Sequence, residues 1–374
     1  MMKDIRFGVI GGGLMGKEFA SAAARWLHLE FKDARPVIKG ICDINPDARS
    51  WFTDNIPSCT LSTGDYQEML ASDQIDAIYC AVPHNLHQQL YCDIIRSGKH
   101  LMGEKPFGID QAANAAIMSC IEEHPNVLVR SSSEFPFFPG ALAISRAIEE
   151  DVFGQIVGVR AGFHHASDLD PDKAINWKRM IAVNGAYGCM GDLGLHVMHI
   201  PLRFGWKPTR IAAQLSNIMT TRPDGKGNIV PCETWDNGAI HTMVEGFGQP
   251  FPLTMETKRI APGEMNTWFI KVEGTKKSMA YSTKYPKTLQ IMDYQPGVAQ
   301  AWQHVDLGYN SAYPTITGGI FEFGFSDSFQ QMWCAFLDEL VNGKKAMYQP
   351  FHCATPAETA ASHDIMTAAI KNAI

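Results

Sequence analysis

A short apolar run that leads directly into a glycine-rich turn sets the strongest limit on how this chain folds. Residues 7–10 read as a buried strand, residues 11–16 contain three spaced glycines, and a helix is predicted to follow. In a nucleotide-binding turn the first glycine allows the tight bend, the second lets a pyrophosphate approach the backbone, and the third packs helix against strand. The helix N-terminus then offers free N–H groups to phosphates. The predicted dinucleotide-binding residues of the turn are Gly11, Gly13, Leu14, Met15 and Gly16.

Short apolar runs recur between helical patterns through the first third of the chain. The predicted strands cover residues 7–10, 37–42, 77–82, 100–102 and 127–129. One predicted helix between them stops at Gly98, and another begins at Asp110, whose side chain can cap free backbone N–H groups. Strands alternating with helices indicate an α/β fold, in which a doubly wound parallel Rossmann sheet forms the N-terminal domain.

The pattern changes after about residue 130, where the breaker-rich segment 131–139 leads into a predicted helix. Strand-like segments dominate from residue 156 until a helix that contains Met332 and Phe336. We therefore expect a C-terminal α+β domain built on a large mixed or antiparallel sheet. The predicted domains are 1–130, which binds the dinucleotide, and 131–374, which binds substrate, mediates oligomerisation and ends in a helix over 357–374 that can pack back on the first domain.

Composition and charge exclude several classes of protein. A chain of 374 residues with 45% hydrophobic residues is long enough for two packed domains. Its net charge of −7, without a basic run, argues against nucleic-acid binding. Nine scattered cysteines without a CxxC pair predict neither disulfides nor a metal site. Because the sequence shows no signal-peptide pattern and no long apolar stretch, we expect a cytoplasmic protein that does not contact a membrane.

Asp43, at the end of the second predicted strand, stands 27 residues beyond Gly16. A carboxylate at this place can accept hydrogen bonds from the adenosine ribose and would repel a 2′-phosphate. The next three residues, 44–46, include no arginine that would attract such a phosphate. The sequence therefore favours NAD over NADP. The glycine turn alone would also suit FAD or a nucleotide sugar.

Three further residues suggest chemistry. Lys105, preceded by Glu104, follows a predicted strand and would emerge at the carboxyl edge of the sheet, where doubly wound folds bind their ligands. Asp192 and His196 are four residues apart and so share one face of a predicted helix. A carboxylate can orient a histidine that accepts an alcohol proton, and a lysine can stabilise the developing alkoxide. Taken alone, such an Asp and His pair is more often a feature of a helix surface.

These residues together resemble the Gfo/Idh/MocA oxidoreductases, a family named for glucose-fructose oxidoreductase and inositol dehydrogenase. The resemblance spans nearly the whole chain. The residues that carry it are the Gly11 to Gly16 turn, Val82-Pro83-His84-Asn85-Leu86-His87, Gly98-Lys99-His100, Glu104-Lys105-Pro106 and Asp192-Leu193-Gly194-Leu195-His196.

The resemblance implies a role for each motif. Lys105, Asp192 and His196 would line the active site, with His196 accepting a proton while hydride passes to the nicotinamide. The Lys105–Pro106 bond would be cis. The further cofactor-binding residues that it implies are Val82, Pro83, His87, Glu104 and Lys105.

The chain also departs from the family pattern, which leaves the substrate contacts open. His199 stands where the family commonly has an aspartate, and residues 188–191 replace a glycine-rich run. Trp177 can stack on a sugar ring or fill a core, and His164 and His165 can line the pocket or belong to an ordinary sheet. The predicted substrate-binding residues are Lys105, Trp177, Asp192, His196 and His164.

Three functions fit this set of residues. The first is an NAD-dependent dehydrogenase of a sugar, polyol or related cyclic alcohol, with His196 as proton acceptor, Lys105 as its electrostatic partner and Asp192 as an orienting or relaying group. The second is an enzyme that uses bound NAD transiently for elimination or glycoside cleavage. The third is a sugar-sensing regulator without chemistry. The resemblance also implies a homodimer or homotetramer.

Overall fold

A six-stranded parallel sheet forms the N-terminal part of the computed structural model, which describes residues 2–308, 310–343 and 352–374. The strands are β1 (Lys3–Ile10), β2 (Ala34–Cys42), β3 (Leu61–Thr63), β4 (Ala77–Cys80), β5 (His100–Gly103) and β6 (Val129–Ser131). Their order across the sheet is β3-β2-β1-β4-β5-β6, with every neighbouring pair parallel. The predicted doubly wound sheet is therefore confirmed. Strand β3 was not predicted, because three residues at a sheet edge leave no periodic signal.

Five helices connect these strands. They are α1 (Leu14–Ala24), α2 (Pro46–Asn55), α3 (Tyr66–Ala71), α4 (His87–Arg96) and α5 (Gln111–Glu123). Asp110 caps α5 as predicted, since its carboxylate accepts a hydrogen bond of 2.8 Å from the Ala113 amide. Gly98 follows α4 with a φ of 79°, the left-handed conformation that a helix end needs. Local side-chain chemistry therefore fixes where these helices begin and end.

An eight-stranded sheet dominates the rest of the chain. Its strands are β7 (Ile156–His164), β8 (Pro208–Ser216), β11 (Asn237–Val244), β12 (Phe251–Lys258), β13 (Thr267–Gly274), β14 (Lys277–Ser282), β15 (Thr288–Asp293) and β16 (Gln303–Asp306), and the short pair β9 (Thr221–Pro223) and β10 (Ile229–Pro231) stands apart. Only β7 and β12 pair in parallel within the eight strands, and all other neighbours are antiparallel. The predicted mixed sheet is confirmed.

The other α-helices of the described residues are α6 (Pro139–Glu149), α7 (Ile181–Asn184), α8 (Cys189–Arg203), α9 (Phe325–Asn342) and α10 (Pro356–Lys371). Helix α8 carries the predicted Asp192 and His196 and is buried along most of its length. Within the described residues, no helix combines the length and the apolar character that a membrane crossing requires.

Helix α10 packs against both parts of the chain, as expected for the closing helix. Gln111 of α5 donates a hydrogen bond of 2.7 Å to Asp364, and the Tyr187 hydroxyl lies 2.8 Å from the Thr367 hydroxyl. The helix ends at Lys371 rather than at residue 374, because the last residues leave it to bond with Ala213 of β8. The C-terminus thus ties the two sheets together.

Helix α9 comes late in the sequence but covers one face of the first sheet. Trp333 is fully buried and stacks on Phe19 of α1 with ring centroids 3.9 Å apart. Phe7 and Tyr79, from β1 and β4, meet the same indole edge-on. The core of the N-terminal sheet therefore includes side chains from beyond residue 131, so the predicted division 1–130 and 131–374 describes the sheets better than it describes the packing.

Replacing Trp333 with alanine should destabilise the whole protein, because the change opens a large cavity where α9 meets the first sheet. We expect the free energy of unfolding to fall by about 3–5 kcal/mol. Chemical denaturation followed by circular dichroism measures this change. The control is Phe247→Ala, which truncates an aromatic residue that is 43% exposed and should change stability by less than about 1 kcal/mol. Equal losses in the two variants would contradict the packing role of Trp333.

Candidate active site

A cleft of about 730 Å³ opens where the carboxyl edge of the first sheet faces helix α8. A volume of this size suits a small-molecule ligand, for which pockets of roughly 300–1,000 Å³ are usual. The wall on the side of the first sheet includes Gly13, Leu14, Met15, Glu18, Val82, Pro83, Glu104, Lys105 and Glu134. The opposite wall includes Phe163, His165, Trp177, Lys178, Asp192, His196 and Arg259.

The glycine turn forms one end of the cleft. Gly11 has a φ of 101°, and a Cβ there would lie 2.2 Å from the carbonyl oxygen of Ala81. A Cβ on Gly16 would lie 2.3 Å from the carbonyl oxygen of Gly11, so only glycine allows helix α1 to approach the strand. Gly13 has open space where its Cβ would be, and it precedes the first turn of α1 without a side-chain cap. The turn thus leaves a cradle of free N–H groups that fits a pyrophosphate.

Asp43 is held in position beside this turn. One carboxylate oxygen accepts a hydrogen bond of 2.7 Å from the Gly12 amide, and the other accepts one of 2.8 Å from the Asn45 amide. Arg49, one turn into α2, donates a hydrogen bond of 2.5 Å to the Asp43 carbonyl oxygen. This guanidinium was not predicted, because it lies beyond residues 44–46, the three that follow Asp43 directly. Two backbone amides therefore hold the Asp43 carboxylate where it can bind a ribose, and the Arg49 guanidinium lies next to Asp43.

Four charged side chains meet in the middle of the cleft. The Lys105 ammonium donates hydrogen bonds of 2.7 Å to the backbone carbonyl of Asp192 and 3.2 Å to its carboxylate. Lys178 lies 3.1 Å from the same carboxylate, and Arg259 forms a direct ion pair with it. Lys105 follows β5, Lys178 lies in the 3-10 turn Trp177–Arg179, and Arg259 follows β12. The Lys105–Pro106 bond is cis, as the resemblance implied.

The charges in this cluster determine its protonation. Burial by itself would raise the pKa of Asp192, but Arg259, Lys105 and Lys178 hold that pKa well below its usual value. Burial would lower the pKa of Lys105, yet the Asp192 carboxylate raises it above its ordinary value. Burial and then Arg259 lower the pKa of Lys178 to about 8. Asp192 is therefore an anion and Lys105 a cation at neutral pH, whereas Lys178 can lose its proton just above it.

His196 stands one helical turn beyond Asp192 on α8 and is 4% exposed. Its Nδ1 atom lies 3.3 Å from the Ser133 hydroxyl, and its backbone carbonyl accepts a hydrogen bond of 2.9 Å from the Trp268 indole. Phe135 and Phe163 meet the imidazole edge-on. Burial and the Lys105 charge lower the pKa of His196 well below its ordinary value. The imidazole is therefore neutral and can accept a proton.

Two predicted histidines lie outside the cleft. His87 is completely buried beneath it, where the ring stacks on Tyr91 and lies 3.0 Å from the Val82 carbonyl oxygen. It supports the Val82–Pro83 segment and cannot touch a cofactor, so its predicted binding role is wrong. His164 is also corrected, because it lies in a groove on the far face of the second sheet. The neighbouring His165 faces the cleft instead.

Several other residues lie in or near the cleft. Trp177 lines the cleft and packs edge-on against His84, with ring centroids 4.9 Å apart. His199 lies beneath the cleft, where its ring is 3.0 Å from the Arg203 guanidinium and 3.8 Å from Glu358. Asp236 forms a fully buried ion pair with Arg179. Trp177 is therefore available to a ligand, whereas His199 and Asp236 are structural.

The fold and the cleft together define an oxidoreductase that binds NAD through a Rossmann sheet. Residues 5–131 match the family described as the oxidoreductase family with an NAD-binding Rossmann fold. This match confirms the predicted resemblance to the Gfo/Idh/MocA oxidoreductases and the predicted NAD cofactor.

Comparison with curated proteins extends the similarity into the second sheet. The chain is 25% identical over 309 residues to levoglucosan dehydrogenase of Pseudarthrobacter phenanthrenivorans. The aligned region covers 78% of this chain and 76% of that protein. It is 25% identical over 275 residues to trans-1,2-dihydrobenzene-1,2-diol dehydrogenase of Mus musculus, covering 70% of this chain and 78% of the relative. Both relatives are dehydrogenases by name.

Solved structures show the same fold at low sequence identity. A levoglucosan dehydrogenase in complex with NADH superposes with a TM-score of 0.87 at 21% identity, covering 99% of this chain and 97% of the other. An inositol dehydrogenase homolog complexed with NAD+ from Azotobacter vinelandii gives a TM-score of 0.80 at 17% identity, covering 99% and 95%. The arrangement of both sheets is therefore shared with these proteins.

Replacing Asp43 with serine should weaken the preference for NAD over NADP. The change removes the charge that repels a 2′-phosphate and leaves the Arg49 guanidinium nearby. A single charge interaction near a protein surface is worth on the order of 1–4 kcal/mol, so the ratio of the two dissociation constants should shift by about tenfold or more. Calorimetric titration with both cofactors measures it. Asp54→Ser, at an exposed position of α2, should leave the ratio unchanged, and an unchanged ratio in Asp43→Ser would contradict the role of Asp43.

Proposed function

We propose that this protein is an NAD-dependent dehydrogenase that transfers a hydride between nicotinamide and a CH–OH group of a sugar, polyol or related cyclic alcohol. The observation that carries the proposal is the convergence of Lys105, Asp192 and His196, from opposite walls, on the cleft that begins at the glycine turn. The named activities of the relatives, levoglucosan dehydrogenase among them, support the same class of substrate.

His196 is the proton acceptor in this proposal. Bound NAD supplies the hydride acceptor, and the residues of the chain must handle the alcohol proton. A neutral imidazole can take that proton, and burial keeps His196 neutral. Its Nδ1 atom is close to the Ser133 hydroxyl, which leaves Nε2 as the nitrogen available to substrate. The two aromatic neighbours, Phe135 and Phe163, fix the plane of the ring.

Lys105 stabilises the negative charge that develops on the substrate oxygen. Its ammonium has three N–H donors, of which two point at the backbone carbonyl and carboxylate of Asp192. The third is free to bond a substrate hydroxyl. Asp192 maintains the charge of Lys105 and orients it, so its role is positioning rather than proton transfer. Trp177, Lys178 and His165 line the same part of the cleft and provide a stacking face and polar groups for further hydroxyls.

Replacing His196 with alanine should abolish turnover but preserve cofactor binding. Loss of a general base typically costs about 100- to 10,000-fold in rate. The purified enzyme and variant would be incubated with NAD and a panel of cyclic polyols, hexoses and anhydrosugars, with NADH absorbance as the readout and calorimetric titration of NADH as the binding control. His241→Ala replaces an exposed histidine of β11 and should behave like the parent enzyme.

The same assay separates the three functions. Net NADH formation that depends on His196 supports the dehydrogenase. Consumption of substrate without net NADH would favour transient use of NAD for elimination or glycoside cleavage. Binding of sugar without any turnover, unchanged in the His196 variant, would favour a sensing regulator. Full turnover by His196→Ala would refute the role proposed for that residue.

We also propose that the chain assembles into a homodimer or homotetramer through the outer face of the second sheet. That face carries an open groove whose lining includes the aromatic groups of Phe269 and Tyr285. Light scattering on the purified protein should give a mass of at least twice 41.4 kDa. A mass near that of one chain would contradict assembly. The cytoplasmic location stays a prediction.

A further inference from the structure

Glu134 is a buried carboxyl group to which the proposed chemistry assigns no role. It belongs to the breaker-rich segment after β6 and is only 3% exposed, yet its side chain lines the cleft. Its neighbours there are Glu104 and Lys105 at the end of the first sheet and Glu18 of helix α1. Glu134 thus shares the cleft with the glycine turn and with the residues of the proposed reaction.

This part of the cleft contains an excess of carboxyl groups. Both hydrogen bonds that Lys105 makes are directed at Asp192, and within the described residues no ion pair joins a cation to Glu18, Glu104 or Glu134. Glu104 accepts a hydrogen bond of 2.7 Å from the Tyr79 hydroxyl, and one oxygen of Glu18 is buried without a partner. Carboxylates that lie close together away from water cannot all remain ionised.

Of these three carboxyl groups, Glu134 is the one that we expect to hold a proton, because it is buried and lies near another glutamate. Burial and then the Glu104 charge raise the pKa of Glu134 to about 8, despite the opposing effect of Lys105. The titratable and charged groups whose charge acts on it are Glu18, Tyr79, Glu104 and Lys105, and His196 lines the same cleft. Tyr79 and His196 are neutral at pH 7, because burial raises the pKa of the first and lowers that of the second. Carboxyl groups therefore outnumber cations beside Glu134 before any cofactor binds.

The oxidised nicotinamide ring is a cation, whereas the reduced ring is neutral. A cation placed beside Glu134 stabilises its ionised form, and by linkage the ionised form must bind that cation more tightly. The neutral reduced ring offers no such stabilisation. The two redox forms of the cofactor therefore differ in how strongly they displace the proton of Glu134.

We propose that Glu134 is a redox-sensing carboxyl of the nicotinamide site, which releases its proton to solvent when NAD+ binds and retains it when NADH binds. The proposal rests on the proposed function, since it needs the nicotinamide end of the cofactor to lie in the part of the cleft that Glu134 shares with Lys105. Glu134 is a positioning residue in this role. It adjusts the relative affinity of the two cofactor forms and takes no part in proton transfer from substrate.

The affinity for NAD+ is expected to rise with pH. The NAD+ complex holds fewer protons than the free protein, so NAD+ binding strengthens as pH rises through the window around pH 8. If NAD+ lowers the pKa of Glu134 by one unit, its affinity rises by about tenfold relative to that of NADH across that window. In Glu134→Gln the side chain keeps its shape but cannot ionise, and the ratio of the two affinities should change by less than about twofold.

Calorimetric titration of NAD+ and NADH between pH 6.5 and pH 9 measures the ratio of affinities without any turnover. Repeating the NAD+ titration in two buffers with different ionisation enthalpies counts the protons released, which should be a fraction of one for the parent protein near pH 7.5 and none for Glu134→Gln. Glu134→Asp, which retains a carboxyl, should restore proton release. Glu122→Gln changes an exposed glutamate of α5 and should match the parent protein.

The outcomes separate this proposal from the one on which it rests. If neither NAD+ nor NADH binds, the proposed function itself is wrong. If both bind, but the pH dependence and proton release are the same in the parent protein and Glu134→Gln, the role of Glu134 is refuted. Thermal melts of each variant show whether the fold is retained, and the Glu134→Asp variant keeps the test decisive if Glu134→Gln does not fold.

Discussion

The carboxylate of Asp192 is the interaction on which the cleft depends. It accepts contacts from Lys105 at the edge of the first sheet, from Lys178 in the loop before α8, and from Arg259 at the end of β12. Removing three cations from water is costly unless a buried anion compensates for them. Because these cations come from three distant parts of the chain, one buried anion holds the two walls of the cleft together.

Packing from the C-terminal end of the chain maintains that alignment. His363 of α10 lies 2.7 Å from the carbonyl oxygen of Pro106, directly after Lys105, and its other ring nitrogen lies 3.3 Å from the Tyr187 hydroxyl just before α8. One buried imidazole therefore contacts both segments that supply the reacting groups. Trp333 of α9 makes a second such link, because its indole stacks on Phe19 in the core of the first sheet. The packing of α9 and α10 thus fixes the position of the two sheets relative to each other.

The sequence predicted those features that depend on local patterns, and failed where contacts join distant residues. The glycine turn, the Asp110 cap and the shared helix face of Asp192 and His196 follow from spacing alone. His164 and His165 could not be distinguished, because β7 ends at His164 and alternation no longer shows which of the two faces the cleft. Arg259 lies 67 residues from Asp192, and nothing in its neighbours indicates that contact.

Charge is divided along the cleft, and this division affects the direction of the proposed reaction. Three cations surround Asp192, whereas Glu18, Glu104 and Glu134 line the wall that includes the glycine turn. When a hydride reaches the nicotinamide, the ring loses its positive charge and the carboxyl end loses its counterion. A proton on Glu134 offsets that loss and favours the reduced cofactor. Alcohol oxidation itself releases a proton and is favoured by high pH. The proposed protonation of Glu134 in the NADH complex takes up a proton, so it acts against that pH dependence.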